Sequence, residues 1–285
     1  MKRLVAALGL CALVLAACSS ADSSADGASS DELLVGIRAS TDPSVGDSRL
    51  LFAVNEIGGD RRGSPDEIVE LVAKPLDQPS RSIETEARFV WIVPDVSGLY
   101  IADVPFDVPG VWEITFSIST GEATQPFLMD IQAEPMTVAI GQQAPRVKTP
   151  TLAESPLEDL TTDDEPLDSL YESSLDDLLD NGRPTVVLFA TPAFCTSAAC
   201  GPLLDQTKEL ALTHPEADFI HVEVYEGFNE AGFAPDADHL VPAVVEFGLP
   251  SEPWIFVMDD AGTVIARFEG VLADGELEAA LASSN

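Results

Sequence analysis

Two cysteines, Cys195 and Cys200, are the residues of this sequence whose type and spacing best suit chemistry. Four residues separate them, within the stretch PTVVLFATPAFCTSAACGP at positions 184–202. A thiolate can attack a disulfide sulfur, and a second thiol nearby can then release the mixed disulfide. Paired thiolates also bind soft metal ions. The pair therefore predicts a redox centre or a metal-binding centre, and the neighbouring elements must hold the two sulfurs close together.

The residues before the pair predict a central β-strand. Positions 185–190 hold five apolar residues and one threonine without polar alternation, which suits a strand covered on both faces. Pro192 ends this strand because proline has no N–H for the ladder. Cys195 is therefore expected just beyond the carboxyl end of a strand, where reactive groups gather in open α/β sheets.

The residues after the pair predict a helix that begins at Pro202, since proline suits the first helical position and leucines follow at helical spacing. Cys200 is then expected at or just before the amino end, where free N–H groups and the helix dipole stabilise a thiolate. Residues five apart in a regular helix have Cα atoms more than ~7 Å apart, too far for a disulfide. A Cys195–Cys200 bridge therefore requires irregular backbone over residues 196–199.

The charge balance excludes nucleic acid as a partner. The chain of 285 residues has 14 basic and 49 acidic residues, a formal net charge of −35. Such a charge repels phosphate backbones and anionic lipid headgroups. The hydrophobic content of 46% is enough for two cores, so the chain is expected to fold into two domains.

The first 17 residues predict a signal peptide, because Lys2-Arg3 is followed by a short apolar run. The run ends in Leu15-Ala16-Ala17-Cys18, which resembles a bacterial lipobox. That resemblance implies cleavage before Cys18, a lipid such as palmitate on Cys18, and anchoring at the extracytoplasmic face of the cell membrane. Residues 18–32 are rich in Ser, Ala, Asp and Gly and predict a flexible tether. Cys195 and Cys200 are then the remaining thiol pair of the mature chain.

Residues 33–140 predict an antiparallel β-sandwich of about seven short strands without a helix. In VWEITFSIS, at positions 111–119, apolar and polar residues alternate, as expected for a strand with one buried face. The segments Gly98-Leu99-Tyr100 and Val108-Pro109-Gly110-Val111-Trp112 resemble the end of small bacterial immunoglobulin-like domains. This region has no Cys or His and so offers no conventional transition-metal site.

Residues 141–173 predict an acidic, proline-rich connector, and residues 174–285 an α/β domain. A short helix capped by Ser174 precedes the central strand. After the cysteine pair and its helix, we expect a strand at 219–225, a helix at 239–247, a hairpin of strands at 254–258 and 263–268, and a helix at 275–281. The resulting order is β-α-β-α-β-β-α.

That order, with the cysteine pair after the first strand and Pro253 before the third, resembles the thioredoxin core over about residues 141–283. The resemblance implies that Pro253 is a cis-proline facing the cysteines, and that Pro253 and Trp254 shape a substrate groove. The usual motif has two residues between its cysteines and a tryptophan before them. Here four residues intervene and Phe194 precedes Cys195.

Three functions are compatible with these residues. The first is thiol–disulfide oxidoreduction on protein thiols and disulfides, with Cys195 as attacking thiolate and Cys200 as resolving thiol, and with no cofactor or metal. The second is copper handling, because Sco-type metallochaperones are thioredoxin-like and combine a wider cysteine pair with a distant histidine, here His221 or His239. The third is a non-catalytic binding module in which the disulfide has only the structural role of holding a loop closed. Glu223 is a carboxylate that is either solvated, ion-paired or an aid to proton transfer.

Overall fold

Alternating apolar and polar residues produce one large sheet in the first half of the chain, antiparallel except for one short parallel pairing between residues 34–35 and 124–125. The computed structural model describes residues 34–57, 61–118 and 121–284. Nine strands in these ranges belong to the large sheet: β1 (Leu34–Arg38), β2 (Gly46–Glu56), β3 (Arg61–Arg62), β4 (Val69–Pro75), β5 (Ile83–Val93), β6 (Ser97–Phe106), β7 (Gly110–Ile118), β8 (Thr124–Gln125) and β9 (Phe127–Ile131). No helix interrupts them, so the all-β prediction for this region is confirmed.

Two long strands join what the sequence predicts as two facing sheets. The strand order is β8-β1-β2-β6-β5-β4-β7-β9, with β3 on β2. Strand β2 pairs with β6 over 46–52 and with β1 over 52–56. Strand β5 pairs with β4 over 83–87 and with β6 over 87–93. Because each of these strands has 11 residues, it changes partner midway, and the expected sandwich becomes one continuous hydrogen-bonded sheet.

The inner face of this sheet encloses an aromatic core. In β7, Trp112, Ile114, Phe116 and Ile118 are buried, as their alternation predicts. The ring of Phe116 stacks on Phe52, with centroids 3.6 Å apart. Burial of this apolar face is the main stabilising term for the sheet.

The second half of the chain forms a small four-stranded sheet with helices. Its elements are α1 (Leu175–Leu178), β10 (Thr185–Ala190), α2 (Cys200–Thr213), β11 (Asp218–Glu223), α3 (Pro242–Glu246), β12 (Trp254–Met258), β13 (Val264–Glu269) and α4 (Glu276–Ala282). The sheet order is β11-β10-β12-β13, with β11 parallel to β10 and β12 antiparallel to it. Every residue of β10 is buried, as expected for a central strand.

Three helices differ in detail from the sequence expectation. Helix α2 begins at Cys200, two residues before Pro202. Helix α3 begins at Pro242 because the preceding residue is extended, whereas the sequence predicted a start near residue 239. Ser174 is the N-cap residue of α1, but its hydroxyl bonds Asp176 and the N–H of Thr149 and not the N–H groups of the helix.

The acidic segment 141–173 packs against the small sheet. Leu160, Leu170 and Tyr171 are buried in the same cluster as strand β10. At its start, the N–H of Gly141 donates to the carbonyl of Val264 at 2.7 Å. This segment thus supplies core residues to the second half of the chain.

Polar contacts join the large sheet to the small one. Asp42, which is fully buried, pairs with Arg267 of β13 at 2.8 Å. Arg49 of β2 pairs with Glu276 of α4 at 2.7 Å. Leu51 and Val271 share an apolar cluster between the two sheets. The described residues from 34 onward form one compact unit, so a division into two separate domains is not confirmed.

The predictions for the leader lie outside the described residues. These are the signal peptide at 1–17, the lipidated Cys18 and the tether at 18–32. Within the part of the chain that the structure describes, no helix is long and apolar enough to cross a membrane.

Candidate redox site

Cys195 and Cys200 form a disulfide at the carboxyl end of β10. Their Cα atoms are 6.0 Å apart, and the intervening backbone is irregular, as a bridge requires. Ala198 within the loop has a φ of +58°, in the left-handed region that non-glycine residues seldom adopt. Helix α2 begins at Cys200. The sequence prediction that a bridge needs irregular backbone over 196–199 is confirmed.

The two sulfurs differ in accessibility. Cys200 is fully buried among core residues such as Leu203 and Leu204, whereas Cys195 is only half-buried. A substrate sulfur can therefore reach Cys195 but not Cys200. This asymmetry is the one that an attacking cysteine and a resolving cysteine need.

Two hydrogen-bond donors lie beside the Cys195 sulfur. The N–H of Cys200 donates to Sγ at 3.3 Å, and the Ser197 hydroxyl lies 3.2 Å from it. Donors at these positions stabilise negative charge on that sulfur once the bridge is reduced to a dithiol. Ser197 is not among the residues that the sequence predicted for the site, although a hydroxyl residue between two cysteines is a signal that could have identified it.

Phe194, which directly precedes Cys195, lies in an aromatic cluster. Its ring packs against Phe233, with centroids 5.0 Å apart, and edge-on to Tyr225 at 6.3 Å. The aromatic side chain thus fixes the loop before Cys195 to residues that follow β11.

Pro253 is preceded by a cis peptide bond, as the thioredoxin resemblance implies. The residues just before it, Ser251 and Glu252, line the same cavity as residues 196–199 of the disulfide loop. The structure therefore brings the segment before Pro253 together with the cysteine loop. The part of Pro253 in binding substrate stays a prediction.

Trp254, the other predicted groove residue, lies in the protein interior. It is 3% exposed, its Nε1 donates to the Ser251 hydroxyl at 3.1 Å, and its ring stacks on Phe256. These contacts hold the segment that carries Pro253. A direct role of Trp254 in substrate binding stays a prediction.

Glu223 lies buried at the carboxyl end of β11. Its Oε2 accepts from the N–H of Thr162 at 2.9 Å and from the Thr162 hydroxyl at 2.8 Å. That hydroxyl in turn accepts from the N–H of Ala193 at 3.1 Å. Burial raises the pKa of Glu223 above its ordinary value. The expectation of a solvated or ion-paired carboxylate is thus wrong, and Glu223 holds the loop before Cys195 through Thr162.

His221 is buried beside this loop. Its Nε2 lies 3.1 Å from the carbonyl of Ala190, and its Nδ1 lies 2.8 Å from the Tyr171 hydroxyl. Because a carbonyl only accepts, Nε2 carries the proton and Nδ1 accepts from Tyr171. Burial lowers the pKa of His221 to about 4. The ring is therefore neutral at pH 7, with both nitrogens engaged.

The copper hypothesis needs a third ligand near the cysteines. The Nδ1 atom of His239 lies 2.7 Å from Asp236 Oδ1, and its ring packs edge-on against Phe233 with centroids 5.0 Å apart. Across residues 34–57, 61–118 and 121–284, no group of three or more His, Cys, Asp or Glu side chains converges in a way that would hold a metal ion.

Comparisons with known proteins give weak likenesses. No family model matches the chain, and no curated protein matches it. Among solved structures, a thioredoxin-like superfamily protein shares 15% identity, with a TM-score of 0.34, over 51% of this chain and 96% of that one. The filamin domain of Lin-41 shares 14% identity, with a TM-score of 0.24, over 35% of this chain and 93% of that one. The fold class therefore rests on the strand order and the site described above, which define a mostly β protein with a disulfide-bearing α/β part.

Proposed function

We propose that this protein is a membrane-anchored extracytoplasmic thiol–disulfide oxidoreductase of thioredoxin-like type. The observation that carries the proposal is the unequal exposure of a bonded cysteine pair at the amino end of α2, with Cys195 accessible and Cys200 buried. A disulfide that only holds a loop closed needs no such difference in exposure, because neither of its sulfurs reacts.

The exchange proceeds in two balanced steps. In the dithiol form, the Cys195 thiolate attacks one sulfur of a substrate disulfide, and the other substrate sulfur leaves as a thiolate that takes up a proton. The Cys200 thiolate then attacks Cys195 Sγ and releases the second substrate thiol. Two electrons pass to the substrate, and the Cys195–Cys200 bridge forms. The same steps in reverse oxidise a substrate dithiol.

The reduction potential of the pair is the direct test. The chain is equilibrated with defined thiol buffers, and the alkylated cysteines are counted by mass. We expect a value between about −270 and −120 mV, the range of catalytic dithiols. A value below about −300 mV would assign the bridge a structural role.

Trapping experiments test the roles of the two cysteines. With 2-hydroxyethyl disulfide as probe, Cys200→Ser is expected to accumulate a mixed disulfide on Cys195, because the resolving thiol is gone. Cys195→Ser is the matched control and should trap little, since Cys200 is buried. Equal trapping by both variants would contradict the assigned roles.

The anchoring part of the proposal rests on the lipobox-like sequence at 15–18. Expression of the full chain in a bacterium with labelled palmitate tests it. We expect label in the membrane fraction with the natural sequence, and neither label nor membrane retention with Cys18→Ala. Label that survives this substitution would refute anchoring at Cys18.

A further inference from the structure

A cavity of about 560 Å³ lies between the disulfide loop and the large sheet. One wall consists of residues 196–199 together with Ser251 and Glu252, from the two segments that flank the redox site. A volume of this size is typical of sites that hold a ligand. Ser197 both lines the cavity and lies 3.2 Å from Cys195 Sγ, so the cavity adjoins the accessible sulfur.

The opposite wall belongs to the large sheet and is apolar. Ala39, Ala53, Ile92 and Leu99 line it, and Ile37 at its edge is 46% exposed. None of these residues belongs to the thioredoxin-like part of the chain. The large sheet therefore supplies a hydrophobic surface opposite the cysteine loop.

Glu269 also lines the cavity, but its carboxylate is already occupied. It accepts from the N–H of Thr41 at 3.0 Å, from the Thr41 hydroxyl at 2.5 Å and from the Ser251 hydroxyl at 3.0 Å. These bonds close the base of the cavity by joining its two walls.

Arg61 gives the sheet wall a positive charge. Its guanidinium is exposed and donates to the carbonyl of Gly98 at 3.4 Å. Its neighbour Arg62 pairs with Glu56 at 2.8 Å, whereas no carboxylate of residues 34–57, 61–118 and 121–284 forms an ion pair with Arg61. Glu252 lies on the opposite wall, so the cavity is positive on one side and negative on the other. A guanidinium favours a bidentate contact with an incoming carboxylate.

We propose that this cavity binds the residues next to the reactive cysteine of a polypeptide substrate, with an apolar side chain against the large sheet and a carboxylate at Arg61. The inference rests on the proposed oxidoreductase function and adds a substrate class to it. The large sheet then acts as half of the substrate site, because it presents the apolar and cationic surface beside Cys195. Contact with a well-packed apolar anchor supplies most of the binding energy in such interfaces.

Single-turnover reduction of defined peptide disulfides tests this inference. The pre-reduced full chain is mixed with the disulfide dimer of Gly-Gly-Cys-Leu-Glu, with that of Gly-Gly-Cys-Gly-Gly, or with 2-hydroxyethyl disulfide. Formation of the Cys195–Cys200 bridge is followed by quench and alkylation. We expect the Leu-Glu peptide to react at least tenfold faster than the glycine peptide.

Variants of the sheet wall assign the preference to the cavity. Ala39→Phe fills it and Arg61→Gln removes its positive charge, so either change should lower the ratio of the two peptide rates at least threefold. Arg38→Gln and Val111→Phe are exposed controls outside the cavity and should keep the ratio. Circular dichroism confirms that each variant is folded.

The outcomes separate the two proposals. Equal rates for both peptides, or a preference that survives Ala39→Phe and Arg61→Gln in folded protein, would overturn the cavity assignment while the oxidoreductase function stands. A chain that reduces none of the three disulfides would overturn the function and the inference together.

Discussion

At the scale of single residues, the site depends on polar groups that the fold buries close to the cysteine loop. Glu223 and His221 lie on β11, opposite the end of β10, and each uses its polar atoms within the protein. Glu223 reaches the loop through Thr162, and His221 reaches it through the carbonyl of Ala190, so both act on the cysteines through the loop backbone. Ser197, by contrast, contacts Cys195 directly.

His221 should make stability fall in acid. Its pKa is about 4 in the folded protein and 6.5 in the unfolded chain, so the unfolded chain takes up a proton first as the pH decreases. The contribution of neutral His221 to the free energy of unfolding is fully present above pH ~6.5. It is lost as the pH falls towards 4, and the total loss is about 3 kcal/mol. Urea unfolding at several pH values is the measurement, with His221→Gln expected to lack this loss and the surface variant His214→Gln expected to keep it. If the free energy of unfolding depended on pH in the same way for His221→Gln and the natural chain, His221 would not be the cause of the acid loss.

Ser197→Ala should slow the reaction of the reduced protein with alkylating reagents. A hydrogen bond to a charged sulfur at a half-exposed position contributes about 1 kcal/mol, which corresponds to roughly a fivefold smaller rate at pH 7. Mass spectrometry after timed iodoacetamide treatment measures the rate at Cys195. Thr196→Ala removes a hydroxyl from the adjacent exposed position and serves as control. An unchanged rate in Ser197→Ala would show that the hydroxyl leaves Cys195 on reduction.

At the scale of secondary-structure elements, the junction after β13 decides how closely the two sheets approach. Gly270 has a φ of +73°, and a Cβ there would lie 3.1 Å from Leu51 Cδ1 of strand β2. Its N–H also donates to the carbonyl of Pro253 at 2.9 Å. The residue therefore links the large sheet, β13 and the segment that carries Pro253.

Gly270→Ala should destabilise the protein more than a glycine substitution in open space. Gly182 has a similar φ of +75° with nothing near its Cβ position, so Gly182→Ala costs only the left-handed conformation, about 1 kcal/mol. Gly270→Ala should cost this amount and about 1 kcal/mol more, because Leu51 must shift in a packed interface. Urea unfolding of the two variants measures the two losses in the free energy of unfolding. Equal losses would show that Leu51 can shift without cost.

At the scale of the whole molecule, a buried ion pair links the large sheet to the small sheet. Asp42 comes from the loop after β1, and Arg267 from β13 of the small sheet. Asp42 also accepts from the N–H groups of Met136 and Thr137, at 2.8 and 3.1 Å. The stretch between the two sheets is thereby fixed at the same carboxylate.

Arg267→Met should therefore cost about 3 kcal/mol in the free energy of unfolding, since it leaves a buried carboxylate without its cation. Arg146→Met, which breaks an exposed pair with Asp180, is the matched control and should cost less than about 1 kcal/mol. Urea unfolding followed by tryptophan fluorescence measures both. A loss of similar size in the two variants would refute the assigned role of the buried pair.

The net charge of −35 should make stability increase with salt. Like charges repel more strongly in the compact state, and about 0.5 M salt shortens the screening length well below its value at about 0.05 M. We expect the melting temperature to rise by several °C over this range, with sucrose as a neutral comparison. A decrease would indicate that screened surface ion pairs outweigh the repulsion.

The sequence by itself determined the local elements of this protein. The unbroken apolar run at 185–190, the alternation at 111–119 and Pro192 act over short distances, and the structure has the strands they predict. The helix expected from Pro202 is also present, although it begins two residues earlier, at Cys200. The irregular backbone at 196–199 also followed from the spacing of Cys195 and Cys200, because a regular helix cannot bridge them.

The tertiary structure decided what depends on contacts between distant residues. Strands β2 and β5 change partners midway, and this joins two expected sheets into one, which no local pattern encodes. The burial of Glu223 and His221 depends on the segment 141–173 folding back over β11. The cavity beside Cys195 depends on the packing of the large sheet near the disulfide loop, where Glu269 and Gly270 line it. Side-chain type and spacing thus specify the reactive pair, whereas long-range packing specifies its surroundings.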